Sequence, residues 1–288
     1  MELTQLKMVK AVARTGSIAR AAEQLHCVPS NITNRLKQLE SELGTTLFLR
    51  AGRGLKISPD GEIFLGYSER ILALVDEAKH AVDRDAAPSG ILRIGAIESC
   101  AGGRLPPLLA EFHQRFPQVT LKLVTGTWSQ LFEELQHHRL DGALVAVDTP
   151  HPKLDRSLLY NEPLVLVTSA NATPVLTPQD LQGQTLFMWP SGCPYRGALE
   201  QWLNTHGVTS TITGYASWGT IIDCVNAGAG MTLAPEGVLE RYTLSAGLAR
   251  YRFADLQPMD IRFFWNKEIE RHTARDAFAQ LLLERLGK

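Results

Sequence analysis

The side chains best suited to chemistry lie on one face of a predicted helix near the amino terminus. The apolar face of this helix is formed by Ile32, Leu36, Leu39 and Leu43. Their spacings of four, three and four are typical of an amphipathic helix. At 100° per residue, short polar side chains lie within about 40° of the centre of the opposite face, namely Ser30, Asn34, Lys37 and Ser41. The flanks of that face carry Asn31, Thr33 and Gln38. Asn and Gln can pair with adenine, Thr can touch a thymine methyl group, and Lys reaches guanine or phosphate, so this face suits a DNA major groove.

Two further predicted helices would position this polar face. The first ends at Gly16, and Ser17 is placed to cap the second. The second helix presents two small residues, Ala21 and Ala22, at its contact face. Three short helices with such a contact predict a helix-turn-helix. The alternative at this point is a generic helical bundle whose polar face is simply solvated.

A short basic hairpin is predicted to follow the third helix. Residues 45–58 alternate apolar and polar side chains around two glycines, which predicts the wing of a winged helix. Arg50, Arg53 and Lys56 on this wing suit contacts to DNA phosphates or to the minor groove.

Positive charge is concentrated in the same region of the 288-residue chain, whose overall net charge is only −1. Residues 1–58 contain nine Lys or Arg and four Asp or Glu, a net charge of +5, which leaves −6 on the remaining 230 residues. A cationic module on a mildly acidic body predicts a head that binds a polyanion, here double-stranded DNA. A composition of 44% hydrophobic and 20% charged residues excludes disordered and fibrous chains.

A long helix is predicted to start at Ser58-Pro59, with an apolar stripe from Ile63 to Val82. Such a helix is too long for the surface of a small domain, so we expect it to dimerise as a coiled segment. It ends in a hinge-like linker, Ala86–Gly90. The predicted domains are a winged helix-turn-helix over 1–58, a linker helix with its hinge over 59–89, and a third domain over 90–288.

Beyond residue 90, apolar strand patterns alternate with helical ones, which implies parallel sheets with right-handed crossovers. The predicted strands are 91–97, 119–125, 142–147, 163–169, 185–189, 210–216, 231–235 and 261–267. The fold class is therefore α/β, with two lobes joined by crossing strands and a cleft between them. We expect lobe I to comprise about 90–162 and 267–288, and lobe II about 163–266.

Three N-terminal segments, SIARAAEQL (17–25), SNITNRLKQLESELG (30–44) and LFLRAGRGLKISPDG (47–61), resemble the DNA-binding signature of LysR-type transcriptional regulators. A looser likeness continues through 91–99, 105–117, 140–145, 191–196 and 225–235. The resemblance implies a winged helix-turn-helix, a dimerising linker helix and an effector domain of periplasmic-binding-protein type. It also implies a homodimer or homotetramer that works with RNA polymerase and has no enzymatic activity. A small-molecule effector, rather than a cofactor, would switch its target operon.

The sequence departs from the family pattern at two places. Thr33-Asn34 stands where the family usually has Ser-Arg or a similar pair, and Val28-Pro29 replaces the usual Ser or Thr before the recognition helix. The operator sequence therefore does not carry over from the family. The turn at Val28–Asn31 and the segment Ser191–Arg196 are similar to a subgroup that includes a regulator of putrescine utilisation.

Effector contacts are predicted where parallel strands end, because helix N-termini there offer free N–H groups, and the family resemblance points to the same loops. The candidates are Glu98, Ser99, Cys100, Thr127, Trp128, Cys193, Tyr195, Arg196, Ser217 and Trp218. The three hydroxyls at 99, 127 and 217 could donate hydrogen bonds, and Arg196 could hold a carboxylate. Glu98 with the two tryptophans could hold an ammonium group, which predicts an amine or amino-acid-like effector. The alternative is that Glu98 caps a helix and the tryptophans are packing residues.

The four cysteines are widely spaced, with no CxxC or Cys/His cluster, which predicts neither a disulfide framework nor a metal site. A redox role for Cys100 or Cys193 competes with simple packing. The N-terminus has no signal-peptide core, and no apolar run approaches the ~18 residues of a membrane span, so we expect a soluble cytoplasmic protein.

Two other function classes stay open on sequence alone. An enzyme could use the α/β cleft, although the sequence shows no nucleophile–base–orienter spacing. An architectural DNA binder would need no ligand, and its affinity would depend steeply on salt rather than on sequence.

Overall fold

A computed structural model describes residues 1–51, 54–82, 87–242, 247–269 and 271–287. The chain divides into two compact units, Met1–Ala86 and Ala87–Lys288. Within the described ranges, no helix is both long enough and apolar enough to cross a bilayer.

The first unit has the predicted winged helix-turn-helix and the long helix after it. Its elements are α1 (Leu3–Thr15), α2 (Ile18–Gln24), α3 (Pro29–Leu43), the antiparallel pair β1 (Phe48–Ala51) and β2 (Gly54–Ile57), and α4 (Pro59–Val82). The predicted periodicities locate the core of this unit, because Ala21 and Ala22 of α2 pack in one buried cluster with α1 and with three of the four apolar residues predicted on α3, Ile32, Leu36 and Leu39.

Side-chain caps begin two of these helices as predicted. Ser17 Oγ accepts a hydrogen bond of 3.5 Å from the Arg20 amide at the start of α2. Ser58 Oγ accepts one of 2.9 Å from the Gly61 amide at the start of α4. These caps satisfy amides that a helix N-terminus otherwise leaves unpaired.

Two glycines allow the hairpin to dock on the turn between α1 and α2. Gly16 has φ 63°, a left-handed conformation that ends α1. Its carbonyl accepts a hydrogen bond of 2.9 Å from the Leu55 amide of β2. A Cβ atom at Gly54 would lie only 2.8 Å from the same carbonyl oxygen, so this close approach requires a glycine.

The second unit begins with a mixed five-stranded sheet in the order β4-β3-β5-β12-β6. Its strands are β3 (Gly90–Ala96), β4 (Val119–Thr125), β5 (Gly142–Val145), β6 (Leu154–Glu162) and β12 (Met259–Asn266). Strand β3 is parallel to β4 and β5, whereas β12 is antiparallel to β5 and β6. The helices of this lobe are α5 (Glu98–Gly102), α6 (Leu105–Arg115), α7 (Trp128–Gln136) and α11 (Thr273–Leu286).

The second lobe contains two smaller strand groups. An antiparallel sheet has the order β10-β7-β11, formed by β7 (Leu164–Ser169), β10 (Thr232–Pro235) and β11 (Leu248–Tyr251). A parallel pair is formed by β8 (Thr185–Met188) and β9 (Thr211–Gly214), and a bridge between Leu186 and Met231 joins it to β10. The helices are α8 (Pro194–Thr205), α9 (Trp218–Asn226) and α10 (Glu236–Leu239).

The structure corrects two details of the predicted α/β architecture. The five-stranded sheet is mixed and the β10-β7-β11 sheet is antiparallel, whereas parallel sheets were expected, because periodicity along the chain does not reveal strand direction. Lobe II was expected to extend to about residue 266, but Met259–Asn266 pairs with β5 and β6 and so belongs to lobe I. The second crossing between the lobes therefore lies before Met259. Strands β6 and β11 were missed, because β6 is rich in polar residues, β11 has only four residues, and both are only partly buried.

A buried carboxylate marks the first crossing. Glu162, the last residue of β6, is 3% exposed and accepts a hydrogen bond of 2.8 Å from the Gly237 amide of α10. Its other oxygen accepts a hydrogen bond of 3.3 Å from Arg104 Nε of lobe I. Burial nevertheless raises the pKa of Glu162 above its ordinary value. These contacts tie both lobes to the crossing strand.

Candidate functional site

The polar face predicted for α3 is exposed in the first unit. Ser30, Asn34, Lys37 and Gln38 are exposed, while Ile32, Leu36 and Leu39 on the opposite face are buried and Leu43, at the end of the helix, is exposed. Pro29 occupies the first turn of α3, as expected from its fixed φ. The exposed side chains supply hydroxyl, amide and ammonium groups in one row, which is the chemistry that base edges and phosphates accept.

Asn31 and Thr33 are only half exposed and are engaged within the helix. Asn31 Oδ1 accepts a hydrogen bond of 3.1 Å from Arg35 Nε, and Arg35 also pairs with the Glu2 carboxylate. Thr33 Oγ1 donates to the Pro29 carbonyl at 3.1 Å. These contacts hold the flank of α3 in place, so the four residues named above, together with Ser41, form the fully exposed part of the predicted face.

Two of the three basic residues predicted on the hairpin are among the described residues. Arg50 on β1 and Lys56 on β2 are both exposed. Arg53 lies outside the described residues, as does its neighbour Gly52. These exposed side chains contribute to the net charge of +5 on residues 1–58, so the winged helix-turn-helix is cationic.

A cavity of about 270 Å³ lies between the two lobes of the second unit. Its walls are the loops that follow β3, β4, β8 and β9, each of which leads into a helix. Since β3 is parallel to β4 and β8 to β9, all four are carboxyl-end loops, the usual ligand position in an α/β sheet. Seven predicted effector residues line it, namely Glu98, Ser99, Thr127, Trp128, Cys193, Tyr195 and Trp218.

Three predicted effector residues do not line the cavity. Cys100 is buried in the core, and burial raises the pKa of its thiol to about 12. Arg196 Nε instead donates to Glu200 Oε1 at 2.7 Å, one turn further along α8. Ser217 Oγ caps α9 by accepting a hydrogen bond of 3.3 Å from the Thr220 amide. Local partners take these side chains away from the cleft, which residue type alone did not reveal.

The remaining predicted hydroxyls also have partners. Thr127 Oγ1 caps α7, accepting a hydrogen bond of 3.3 Å from the Gln130 amide. Ser99 Oγ lies 3.1 Å from the Tyr195 hydroxyl. The hydroxyls are therefore committed to helix caps and to a contact between the lobes.

Trp189 is the main cavity residue that sequence reasoning missed. It follows β8 directly and lines the cavity, and its buried indole Nε1 has no hydrogen-bond partner among the described residues. Its position at the carboxyl end of a predicted strand was the available signal. Ser129, Ser191 and Gly192 also line the cavity and were not singled out as contacts.

Two hydrogen bonds connect the lobes across the cavity. The first joins Ser99 of α5 to Tyr195 of α8. In the second, Trp128 Nε1 of α7 donates to the Gly192 carbonyl at 3.1 Å. The two lobes are therefore held in a closed arrangement around the cavity.

Burial controls the electrostatics of the cavity wall. It raises the pKa of Glu98, an effect that the Arg241 guanidinium partly opposes. It also raises the pKa values of the Cys193 thiol and of the Tyr195 phenol. Both groups are therefore uncharged at neutral pH, and neither Cys193 nor the core thiol of Cys100 has the lowered pKa of a reactive thiolate.

Comparison with known proteins identifies both units. Residues 3–62 match the family model "Bacterial regulatory helix-turn-helix protein, lysR family", and residues 85–287 match the "LysR substrate binding domain". The transcriptional regulator GltR of Bacillus subtilis (strain 168) is 37% identical over 256 residues, which cover 88% of this chain and 86% of GltR.

Solved structures show that the fold is shared along the whole chain. A cysteine mutant of Corynebacterium glutamicum OxyR matches with a TM-score of 0.72 and 23% identity, over 98% of this chain and 91% of that one. Full-length CbnR in complex with its target DNA matches with a TM-score of 0.66 and 22% identity, over 99% of both chains. The chain belongs to the LysR family of DNA-binding transcriptional regulators, which are not enzymes, and carries the effector-binding domain of that family.

Proposed function

We propose that this regulator recognises a specific operator through α3 and that a small molecule in the interlobe cavity changes its affinity for that operator. The cavity carries the proposal, because both lobes contribute to its walls. A ligand that contacts both lobes binds the closed arrangement better than an open one, and this difference is what a switch requires.

The exposed residues of α3 are assigned to the operator. Asn34 and Gln38 read base edges, while Ser30 and Lys37 contact phosphate or guanine. Asn31 and Thr33 position the helix through the contacts described above. Arg50 and Arg53 contribute sequence-independent contacts with the backbone.

The cavity residues are assigned to the effector. Trp128, Trp189 and Trp218 supply apolar walls, and Glu98 supplies the charge. Ser99 and Tyr195 act as the closing contact between the lobes. The effector fills the space that the two lobes enclose.

The proposal also covers the location, the oligomeric state and the domain boundaries of the regulator. The regulator acts in the cytoplasm as a homodimer or homotetramer and works with RNA polymerase. Its domain boundaries are near 58 and 89, and lobe I comprises about 90–162 together with the chain from 259 onward. The likeness of Val28–Asn31 and Ser191–Arg196 to the subgroup with a putrescine-utilisation regulator makes putrescine an effector to test.

DNA selection with the full chain tests the proposal. Duplexes selected from a random library are compared with scrambled duplexes by fluorescence anisotropy, first alone and then with pools of metabolites that include putrescine. We expect a preference for one sequence and a change in its Kd with at least one pool. A protein without sequence preference, or one whose operator affinity no pool changes, would contradict the proposal.

A cavity-filling variant locates the switch. Ala216 lines the cavity, so Ala216→Trp should abolish the metabolite effect and leave operator binding unchanged. Ala110→Trp, at an exposed position of α6, is the matched control and should behave like the wild type. An equal metabolite effect in Ala216→Trp would place the effector elsewhere.

A further inference from the structure

Resting on the proposed effector site, we propose that the cavity takes a small organic monocation with a single ammonium group. The lining includes the carboxyl group of Glu98, three tryptophans and a tyrosine, and none of the described residues on it is basic.

The charged groups of the wall favour a cation. Among the described residues that line the cavity, Glu98 is the only acidic one, and none is a Lys, Arg or His. Two arginines lie close by but outside the lining: Arg241 interacts with the Glu98 carboxyl group, and the Arg196 guanidinium is bound to Glu200 at 2.7 Å. An anionic ligand would find a carboxylate and no cationic partner on this lining, whereas an ammonium group would find an ion-pair partner.

The aromatic rings favour the same charge. Trp189 and Trp218 have ring centroids 6.4 Å apart at 52°, and Tyr195 and Trp218 have centroids 6.3 Å apart at 66°. Rings inclined in this way present their faces and edges in several directions rather than as one flat stack. A ligand cation over such faces gains cation–π attraction, which is stronger where water is excluded.

The size of the cavity and the number of carboxyl groups that line it narrow the class of ligand further. A cavity of about 270 Å³ is at the lower limit of the pockets that hold drug-sized ligands, which indicates a metabolite of few atoms. A diamine would place two ammonium groups against a single lining carboxylate, so the second would be desolvated without a partner. The geometry therefore favours one cationic nitrogen over two.

Calorimetry with the full chain tests this inference. Four kinds of probe differ in their polar groups: an amino alcohol, a simple amine, a neutral alcohol and a carboxylate. Each kind is measured twice, once with a phenyl group and once with an isobutyl group as its apolar part. Putrescine serves as the diamine. We expect the amino alcohol and the simple amine to bind with similar affinity, and the alcohol, carboxylate and putrescine to bind at least tenfold more weakly.

One variant tests the contact with the ammonium group. Glu98→Gln should weaken both amines at least tenfold and leave the neutral alcohol unchanged, and Glu133→Gln, exposed on α7, is the matched control.

Three results would overturn the inference: a carboxylate or putrescine that binds as tightly as the amino alcohol, amine binding that is unchanged in Glu98→Gln, or no binding by any probe. Operator affinity is measured in parallel. A probe that binds without changing operator affinity contradicts the proposed switch and leaves the ligand class intact, whereas a carboxylate that binds and shifts operator affinity contradicts only the ligand class.

Discussion

Trp128 and Gly192 are joined across the cleft, with the indole Nε1 of one lobe 3.1 Å from the carbonyl oxygen of the other. The Trp128 ring also packs edge-on against Phe132 of its own helix, with centroids 5.6 Å apart. One residue thus combines a fixed packing contact within lobe I with a hydrogen bond that exists only while the lobes are closed.

Trp128→Phe should weaken the closed arrangement of the lobes while keeping an aromatic ring in the cavity wall. The phenyl ring keeps the contact with Phe132 but donates no hydrogen bond, and a typical net hydrogen bond contributes about 0.5–1.5 kcal/mol. We expect the ratio of closed to open domains to fall roughly two- to tenfold. Hydrogen exchange of residues 189–195 should then accelerate by a similar factor. Trp265→Phe, outside the cavity lining, controls for loss of an indole, and equal exchange rates in both variants would contradict the closing role.

Asn34→Ala should separate specific from non-specific DNA binding. Removal of one bidentate base contact costs about 1–3 kcal/mol at the operator and little on random duplexes, because phosphate contacts dominate there. Anisotropy titrations on both duplexes measure the difference. Asn204→Ala, at an exposed position near the end of α8, is the matched control. Equal losses on both duplexes would show that Asn34 does not read bases.

Gly54→Ala should destabilise the first unit. A Cβ atom there would lie 2.8 Å from the Gly16 carbonyl oxygen, so the hairpin must shift away from the turn that it docks on. Overpacking of this kind typically costs about 1–3 kcal/mol. Urea denaturation followed by circular dichroism provides the measurement. Gly66→Ala on α4, where a Cβ atom meets nothing within 4 Å, should be neutral or stabilising. A Gly54→Ala variant as stable as Gly66→Ala would exclude the close approach.

The Glu98 carboxyl should make the second unit less stable as pH rises. Burial raises its pKa above the ordinary 4.5, so between 4.5 and the raised value the folded chain holds a proton that the unfolded chain has lost. The contribution of this group to stability is therefore present at acid pH and declines as pH increases. Without ligand, Glu98→Gln should be more stable than the wild type at pH 7, and the difference should shrink towards pH 4.5. The measurement is the calorimetric Tm of both proteins across this pH range. A difference that grows towards acid pH would contradict a raised pKa for Glu98.

Much of the first unit followed from local chemistry. Helix periodicity, Gly16, the caps at Ser17 and Ser58, and the alternation of the hairpin each depend on neighbours within a few residues, and the structure has the elements that they predicted. The exposed face of α3 also follows from 3.6-residue periodicity, because the buried leucines oblige the opposite side chains to face outward.

The predicted strands located the cleft but did not show which side chains line it. The rule that ligands lie beyond the carboxyl ends of parallel strands placed the loops of Glu98, Trp128 and Trp218 around one cavity. It did not show that Arg196 is paired with Glu200 or that Trp189 has an unpartnered N–H group. Nor did it place β12 in the first lobe. Those features depend on side-chain direction and on pairing between residues far apart in the chain, and such long-range packing leaves no periodic trace along the sequence.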